Sequence, residues 1–266
     1  MDRPVPYEPR RFQSAVPYYQ TYRLPYPERL MARVVALLGL KPGDAVLDLG
    51  AGPGSLSLPL ARLGMAVTAA DPEPEMLAAA EAAAGSEDVP LTLWRGGSYD
   101  LTADIGPYKL VTIGRAFHWM DRLATLMMLD RIIAPGGAVA LFHDAHPVLP
   151  ENEWFKTLCK VGDRYGRAAQ PHITERKALG HRRYEPFLYQ SAFTKLDGLS
   201  VTVRKPITED EIVGRAFSQS TTSPEKLGER ADAFEAELRE RLRALSIDGR
   251  FIEIAEMVAL VARRDP

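Results

Sequence analysis

Between residues 45 and 142 short apolar runs alternate with helical ones, and no other feature of the chain limits its fold as much. Residues 45–49, 66–70, 91–94, 109–113 and 138–142 are short, apolar and bounded by glycine, proline or charge, as buried strands are. Helical patterns fill the gaps at 55–63, 75–84 and 121–133, and a further helix from Pro27 places Leu30, Val34, Leu37 and Leu38 on one face before Gly39 and Pro42 stop it. Successive β-α-β links of this length require right-handed crossovers, hence a parallel sheet with helices on both faces. The expected class is α/β: a doubly wound, Rossmann-like sheet of seven strands, mostly parallel, with 199–203 and 258–262 as the last two.

After His143 the alternation stops. Residues 145–195 scatter Trp154, Phe155, Tyr165, Tyr184, Phe187 and Tyr189 among charges, where a small core explains the aromatics more simply than an acceptor pocket. Helices are expected at 209–218 and 224–245, the second with Ser223 as N-cap and Pro224 in its first position. Four parts follow: an N-terminal arm at 1–26, rich in proline and tyrosine; a core at 27–143; a helical cover inserted at 144–200; and 201–266, which completes the sheet and carries further inserted helices.

Composition excludes several classes. Hydrophobic residues make up 46% and charged ones 26%, with a formal charge of −2, so neither disorder nor a nucleic-acid-binding excess of basic residues is expected. The lone cysteine, Cys159, excludes an internal disulfide and a cysteine-clustered metal site. No apolar run approaches about 18 residues, and Met1-Asp2-Arg3 does not open a secretory signal. A cytoplasmic monomer or homodimer without membrane or nucleic-acid partners is expected. The cluster His143-Asp144-Ala145-His146 lacks supporting acids, so no metal is expected either.

The first strand delivers Asp48-Leu49-Gly50-Ala51-Gly52-Pro53-Gly54 to the carboxyl edge of the sheet. Ligands of open parallel sheets bind there, because glycines permit a tight turn and the next helix offers unpaired N–H groups. Taken alone the turn suits NAD, FAD or any adenosine-bearing cofactor. Its spacing differs from the G-x-G-x-x-G of dinucleotide enzymes, and the second strand ends in Asp71, placed to accept hydrogen bonds from ribose hydroxyls. Gly54 is expected to serve helix–strand packing rather than ligand contact.

At these residues the chain resembles the class I S-adenosylmethionine-dependent methyltransferases. The likeness runs through Val46 to Gly54, Val67 to Leu77, Gly97-Ser98-Tyr99-Asp100-Leu101, Leu110 to Trp119 and the Pro135-Gly136-Gly137 turn. It reaches back to Tyr18 to Pro27, which is similar to the arm of small-molecule enzymes of the trans-aconitate methyltransferase type. The resemblance implies S-adenosylmethionine as cofactor and assigns positions to it. Gly50, Ala51 and Gly52 would pass the methionine portion, with Asp48 steering the loop or the ammonium. Asp71, with Pro72 and Met76, would hold the ribose side. Gly97, Ser98 and Tyr99 would meet the adenine, Tyr99 departing from the usual polar residue, with Asp100 an alternative. Gly114, Arg115 and Ala116 would lie below the sulfonium. Tyr18, Tyr22 and Arg23 would close over the cofactor, Arg23 facing its carboxylate.

Methyl transfer is an in-line displacement, so alignment and water exclusion are the protein's main work. His118 is the candidate base for a nucleophile that must lose a proton, although local packing with Phe117 and Trp119 explains it more simply. Trp119, His143 and His146 fall on the substrate side. Residues 156–183 carry Lys156, Lys160, Arg164, Arg167, Arg176, Lys177, Arg182 and Arg183 against Asp163 and Glu175, a balance that suits an anionic small-molecule acceptor or simply a solvated face. The expected function is methyl transfer to an oxygen, nitrogen or carbon of a small metabolite. The alternatives are a non-catalytic protein that binds S-adenosylmethionine or S-adenosylhomocysteine and, less favoured, an NAD-dependent oxidoreductase.

Overall fold

The computed structural model describes residues 16–167 and 184–265. A short helix α1 (Val16–Tyr22) leads into α2 (Glu28–Leu38), which ends at Gly39 in the left-handed conformation. There follow β1 (Ala45–Leu49), α3 (Ser57–Arg62), β2 (Ala66–Asp71), α4 (Pro74–Glu87), β3 (Thr92–Arg95), β4 (Tyr108–Gly114), α5 (Arg122–Ile132) and β5 (Ile133–Ala145). Beyond them lie α6 (Glu153–Arg167), α7 (Glu185–Leu188), β6 (Lys195–Thr208), α8 (Glu209–Phe217), α9 (Pro224–Leu227), α10 (Ala231–Arg243) and β7 (Arg250–Arg263).

The seven strands lie in the order β3-β2-β1-β4-β5-β7-β6. The first five are parallel; β7 runs antiparallel to both β5 and β6. Strand order reverses between β1 and β4, so their carboxyl ends open the crevice in which ligands of such sheets bind. Strand periodicity explains the two cores. Val46, Leu110 and Phe142 face α2 and α3 on one side, while Leu47, Leu49, Val111, Ile113 and Leu141 face α5 on the other. A third cluster joins Trp154, Leu158 and Val161 of α6 to Val213 and Phe217 of α8 and to Phe234 and Leu238 of α10.

Three expectations change. The sixth and seventh strands are not five-residue pieces but a long antiparallel pair, registered from Lys195 opposite Arg263 to Thr208 opposite Arg250. The charged outward residues of both strands hide their length in sequence, because antiparallel strands of this kind bury one face and leave the other polar. The fifth strand includes Pro135-Gly136-Gly137 instead of starting after it. The expected helix 224–245 is broken by Gly228 (φ 54°, ψ −132°) into α9, a 3₁₀ turn at Gly228–Arg230 and α10. Ser223 precedes α9 but makes no capping hydrogen bond. No helix among the described residues is long and apolar enough to cross a membrane.

Candidate active site at the carboxyl edge

The glycine turn leaves β1 under backbone control. The Gly50 and Ala51 N–H groups both donate to the Ala70 carbonyl, at 2.8 and 2.9 Å, which folds the turn over the end of β2. Gly50 has φ +73°, and a Cβ there would lie 2.6 Å from the Ala116 Cβ, so no larger residue fits without displacement. Gly54 packs as expected: its missing Cβ would sit 3.2 Å from Leu58 and 3.5 Å from Ala80.

Two buried acids brace this turn. Asp48, 1% exposed, accepts from Ser57 Oγ at 2.5 Å and from Thr112 Oγ1 at 2.9 Å, tying β1 to α3 and β4. Asp71, 7% exposed, accepts the Gly52 N–H at 2.8 Å and the Glu73 N–H at 3.0 Å. It does not cap α4, whose N-cap is Glu73. One N–H on each oxygen leaves lone pairs for further donors. Burial pushes Asp48 up to about 6, against the bonds from Ser57 and Thr112, and Asp71 up to about 6, against its two backbone donors. A carboxyl that holds its proton more tightly when folded costs stability as pH rises from its unfolded value through its folded one. These two acids therefore oppose folding above about pH 6 and cease to do so below about pH 4.

The adenine-side candidates sit in a turn after β3. Gly97 N–H donates to Asp100 Oδ2 at 2.8 Å, and Asp100 N–H donates to the Gly97 carbonyl at 3.0 Å. Asp100 thus closes the turn. Pro72 borders Gly97, Met76 Sδ lies 3.9 Å from where a Gly52 Cβ would stand, and Tyr99 is 59% exposed. Ser98 is partly buried in the same turn.

At the end of β4, a Gly114 Cβ would stand 2.8 Å from Leu56 and 3.3 Å from the Tyr26 hydroxyl. Arg115 adopts φ +56°, a left-handed conformation that costs a non-glycine residue about 1–3 kcal/mol and persists only where its surroundings hold it. They do: Nε pairs with Asp144 at 2.5 Å, Nη2 donates to the Leu24 carbonyl at 2.8 Å, and the guanidinium lies over the Tyr26 ring. His118 and Trp119 follow in a 3₁₀ turn, half-buried, with ring centroids 4.9 Å apart.

The arm docks on α8. Tyr18 packs against Phe217, and a Cβ on Gly214 would run 2.3 Å from the Tyr22 ring, so only glycine lets the helix approach. Arg23 Nη2 donates to the Ser218 carbonyl at 3.3 Å, while its buried Nε has no partner. Burial lowers the Arg23 pKa, as do the like charges of Arg115 and Arg215, while Tyr19 and Asp144 act in the opposite sense.

His143 meets Tyr184 edge to face. His146 is not a loop residue at large: its side chain is 2% exposed, stacks on Phe155 at 3.8 Å, and lies 2.8 Å from Glu253 Oε1 through Nε2. The sequence offered no sign of Arg215 or Glu253, each nearly forty residues from the other and neither in a motif. Arg176, Lys177, Arg182 and Arg183 of the cationic segment, with Glu175, lie outside the described residues, as do residues 1–15. No cluster of metal-ligating side chains occurs among the described residues.

Comparison with known proteins gives this edge a context. The family described as "Methyltransferase domain" matches residues 46–137, from β1 to the Pro135-Gly136-Gly137 turn. An uncharacterized methyltransferase of Mycobacterium tuberculosis is 31% identical over 166 residues, covering 61% of this chain and 63% of that protein. The chain thus spans under two thirds of the length of such curated relatives. Among solved structures, a protein provisionally called a type II methyltransferase from Anaeromyxobacter dehalogenans superposes with a TM-score of 0.55 at 20% identity, over 92% of this chain and 98% of its own. The precorrin 8W decarboxylase of Methanobacterium thermoautotrophicum gives 0.51 at 14% identity, over 92% and 95%. Likeness at that identity establishes the fold and leaves the reaction to the site. The glycine turn, the acid ending β2 and the reversal of strand order between β1 and β4 all lie inside the span that matches the methyltransferase domain family.

Proposed function

We propose that the protein transfers a methyl group from S-adenosylmethionine to an oxygen, nitrogen or carbon nucleophile of a small metabolite. The observation that carries this reading is Asp71: a buried carboxylate at the end of β2, beside the switch point, hydrogen-bonded to the glycine turn and with acceptor capacity to spare. The site fits the cofactor. Gly50 and Gly52 form a cradle that a Cβ would fill, and Arg23 Nε is an orphaned donor suited to an amino-acid carboxylate.

S-adenosylmethionine, when bound, supplies a methyl group already activated by its sulfonium. Asp71 would accept the ribose hydroxyls, the turn at Gly97, Ser98 and Tyr99 would meet the adenine, and Gly114 and Ala116 would leave room below the transfer path. Tyr18, Tyr22 and Arg23 would close the arm and exclude water, which strengthens polar contacts inside. Alignment alone accounts for transfer to a nucleophile without a proton to lose; for a hydroxyl or amine, His118 is the candidate proton acceptor. Trp119, His143 and His146 would border the acceptor, and Lys156, Lys160 and Arg164 on α6 favour an anionic one.

Thermal denaturation with each nucleotide tests the reading. S-adenosylhomocysteine at a hundred times its dissociation constant should add ~2.7 kcal/mol of stability; stabilisation by NAD and none by S-adenosylhomocysteine would reverse it. A pH dependence should accompany binding. Ionised Asp71 accepts hydroxyls better than the neutral acid, so affinity for S-adenosylhomocysteine should fall several-fold between pH 7.5 and pH 5. Calorimetry on Asp71→Asn should show most of that slope gone; an unchanged slope would assign it to another group.

A further inference from the structure

On the substrate side of the sheet five buried or partly buried ionisable side chains come together in one cluster that ends on the arm. Glu253, 0% exposed on β7, receives both Nη groups of Arg215 and the Nε2 of His146. Arg215 Nε, in turn, donates to the Tyr22 carbonyl at 3.1 Å. Across the cluster His146 Nδ1 stands 3.9 Å from Asp144 Oδ2, and Asp144 pairs with Arg115, which holds the Leu24 carbonyl. Two forked guanidiniums therefore grip the arm at residues 22 and 24, on either side of Arg23, and each is oriented by its own carboxylate. His146, in ring contact with Phe155 and Trp154, stands between the two pairs, hydrogen-bonded to Glu253 and 3.9 Å from Asp144.

Such an arrangement is more than neutralisation. A lone ion pair buried this deeply costs desolvation that its attraction barely returns, whereas a planar fork held on one edge by a bidentate carboxylate presents its remaining N–H in a fixed direction. Their cationic neighbours favour the charged form of both carboxylates. Burial alone would push Glu253 up, but the His146 hydrogen bond and the Arg215 pair hold it at about 2; Arg115 and Arg23 likewise overcome burial and keep Asp144 well below the usual range. Lys205, 4.0 Å from Glu253, is the other cation facing it.

We propose that Glu253 is a positioning residue for the methyl-transfer site, acting through Arg215 and His146 to fix the arm over the cofactor. The proposal rests on the reading of the arm as the cofactor's lid. It makes the last strand of the sheet, remote in sequence from the glycine turn, a determinant of cofactor affinity, and it links acceptor-side strands to closure of the cofactor side.

Full-length Glu253→Gln, the double variant Arg215→Met/Glu253→Met, and Arg23→Gln test it, each checked for folding by circular dichroism. Affinity for S-adenosylhomocysteine is read by calorimetry, and backbone amide exchange over residues 16–24 is read with and without that ligand. Glu253→Gln keeps the side chain's size but not its charge, so affinity should fall at least tenfold and exchange in the arm should rise, while exchange at Gly50 to Gly54 stays put. The apolar pair, which restores a packed interior if the single variant fails to fold, should weaken binding as much. Wild-type affinity in whichever of these folds, or weaker binding with arm exchange unchanged, overturns the proposal. Arg23→Gln separates the two readings: weaker binding there with Glu253→Gln unaffected removes only the role of Glu253, whereas no effect in either removes the arm as lid.

Discussion

Asp71→Ala should raise the dissociation constant for S-adenosylhomocysteine about a hundredfold, or ~2.7 kcal/mol. Two losses combine. A carboxylate that accepts ribose hydroxyls makes charge-assisted bonds worth about 1.5–3 kcal/mol each when buried, and the same group now holds the Gly52 and Glu73 N–H groups. Removing it strands two donors and loosens the turn that the methionine portion must pass. Asp71→Asn should lose less, because an amide oxygen can still accept one of the backbone bonds. Calorimetry settles the matter: an affinity for the alanine variant within threefold of wild type would take Asp71 out of the site.

Gly50→Ala should be the more damaging of two outwardly similar glycine substitutions. Gly39 and Gly50 both have positive φ, +61° and +73°, and alanine pays about 1–2 kcal/mol for that conformation at either place. Around Gly39 there is nothing within 4 Å of the added Cβ; at Gly50 it would meet the Ala116 Cβ at 2.6 Å. Relieving that clash moves either the glycine turn or the strand end that carries Gly114 to Ala116, at a further ~1–3 kcal/mol. Gly50→Ala should thus lower stability by roughly twice as much as Gly39→Ala and weaken S-adenosylhomocysteine binding at least tenfold, with Gly39→Ala binding normally. Equal melting temperatures and affinities for the two would show that the turn yields freely.

Both expectations concern residues whose type and spacing mark them out along the chain, and there is a physical reason. A glycine turn, the acid that ends the next strand and the apolar runs between them are local: each needs a particular residue type at a fixed distance along the chain. The seven-stranded sheet was legible for the same reason, since burial on both faces forces continuous apolar strands in β1, β4 and β5. The strand pair β6–β7 was only half legible because its outward charges mask its length, and Gly228 broke a helix whose periodicity continued past it.

Short-range periodicity and turn chemistry were therefore enough to specify the parallel part of the sheet and the crevice, and to single out the residues proposed for the cofactor. Three-dimensional packing was needed to establish that Asp48 braces strands from within, that Asp100 is occupied in closing its turn, and that Arg215, Glu253, His146, Asp144 and Arg115 form one cluster beneath the arm. Charged residues carry no period, and partners 29 to 107 positions apart meet only when the strands are laid side by side.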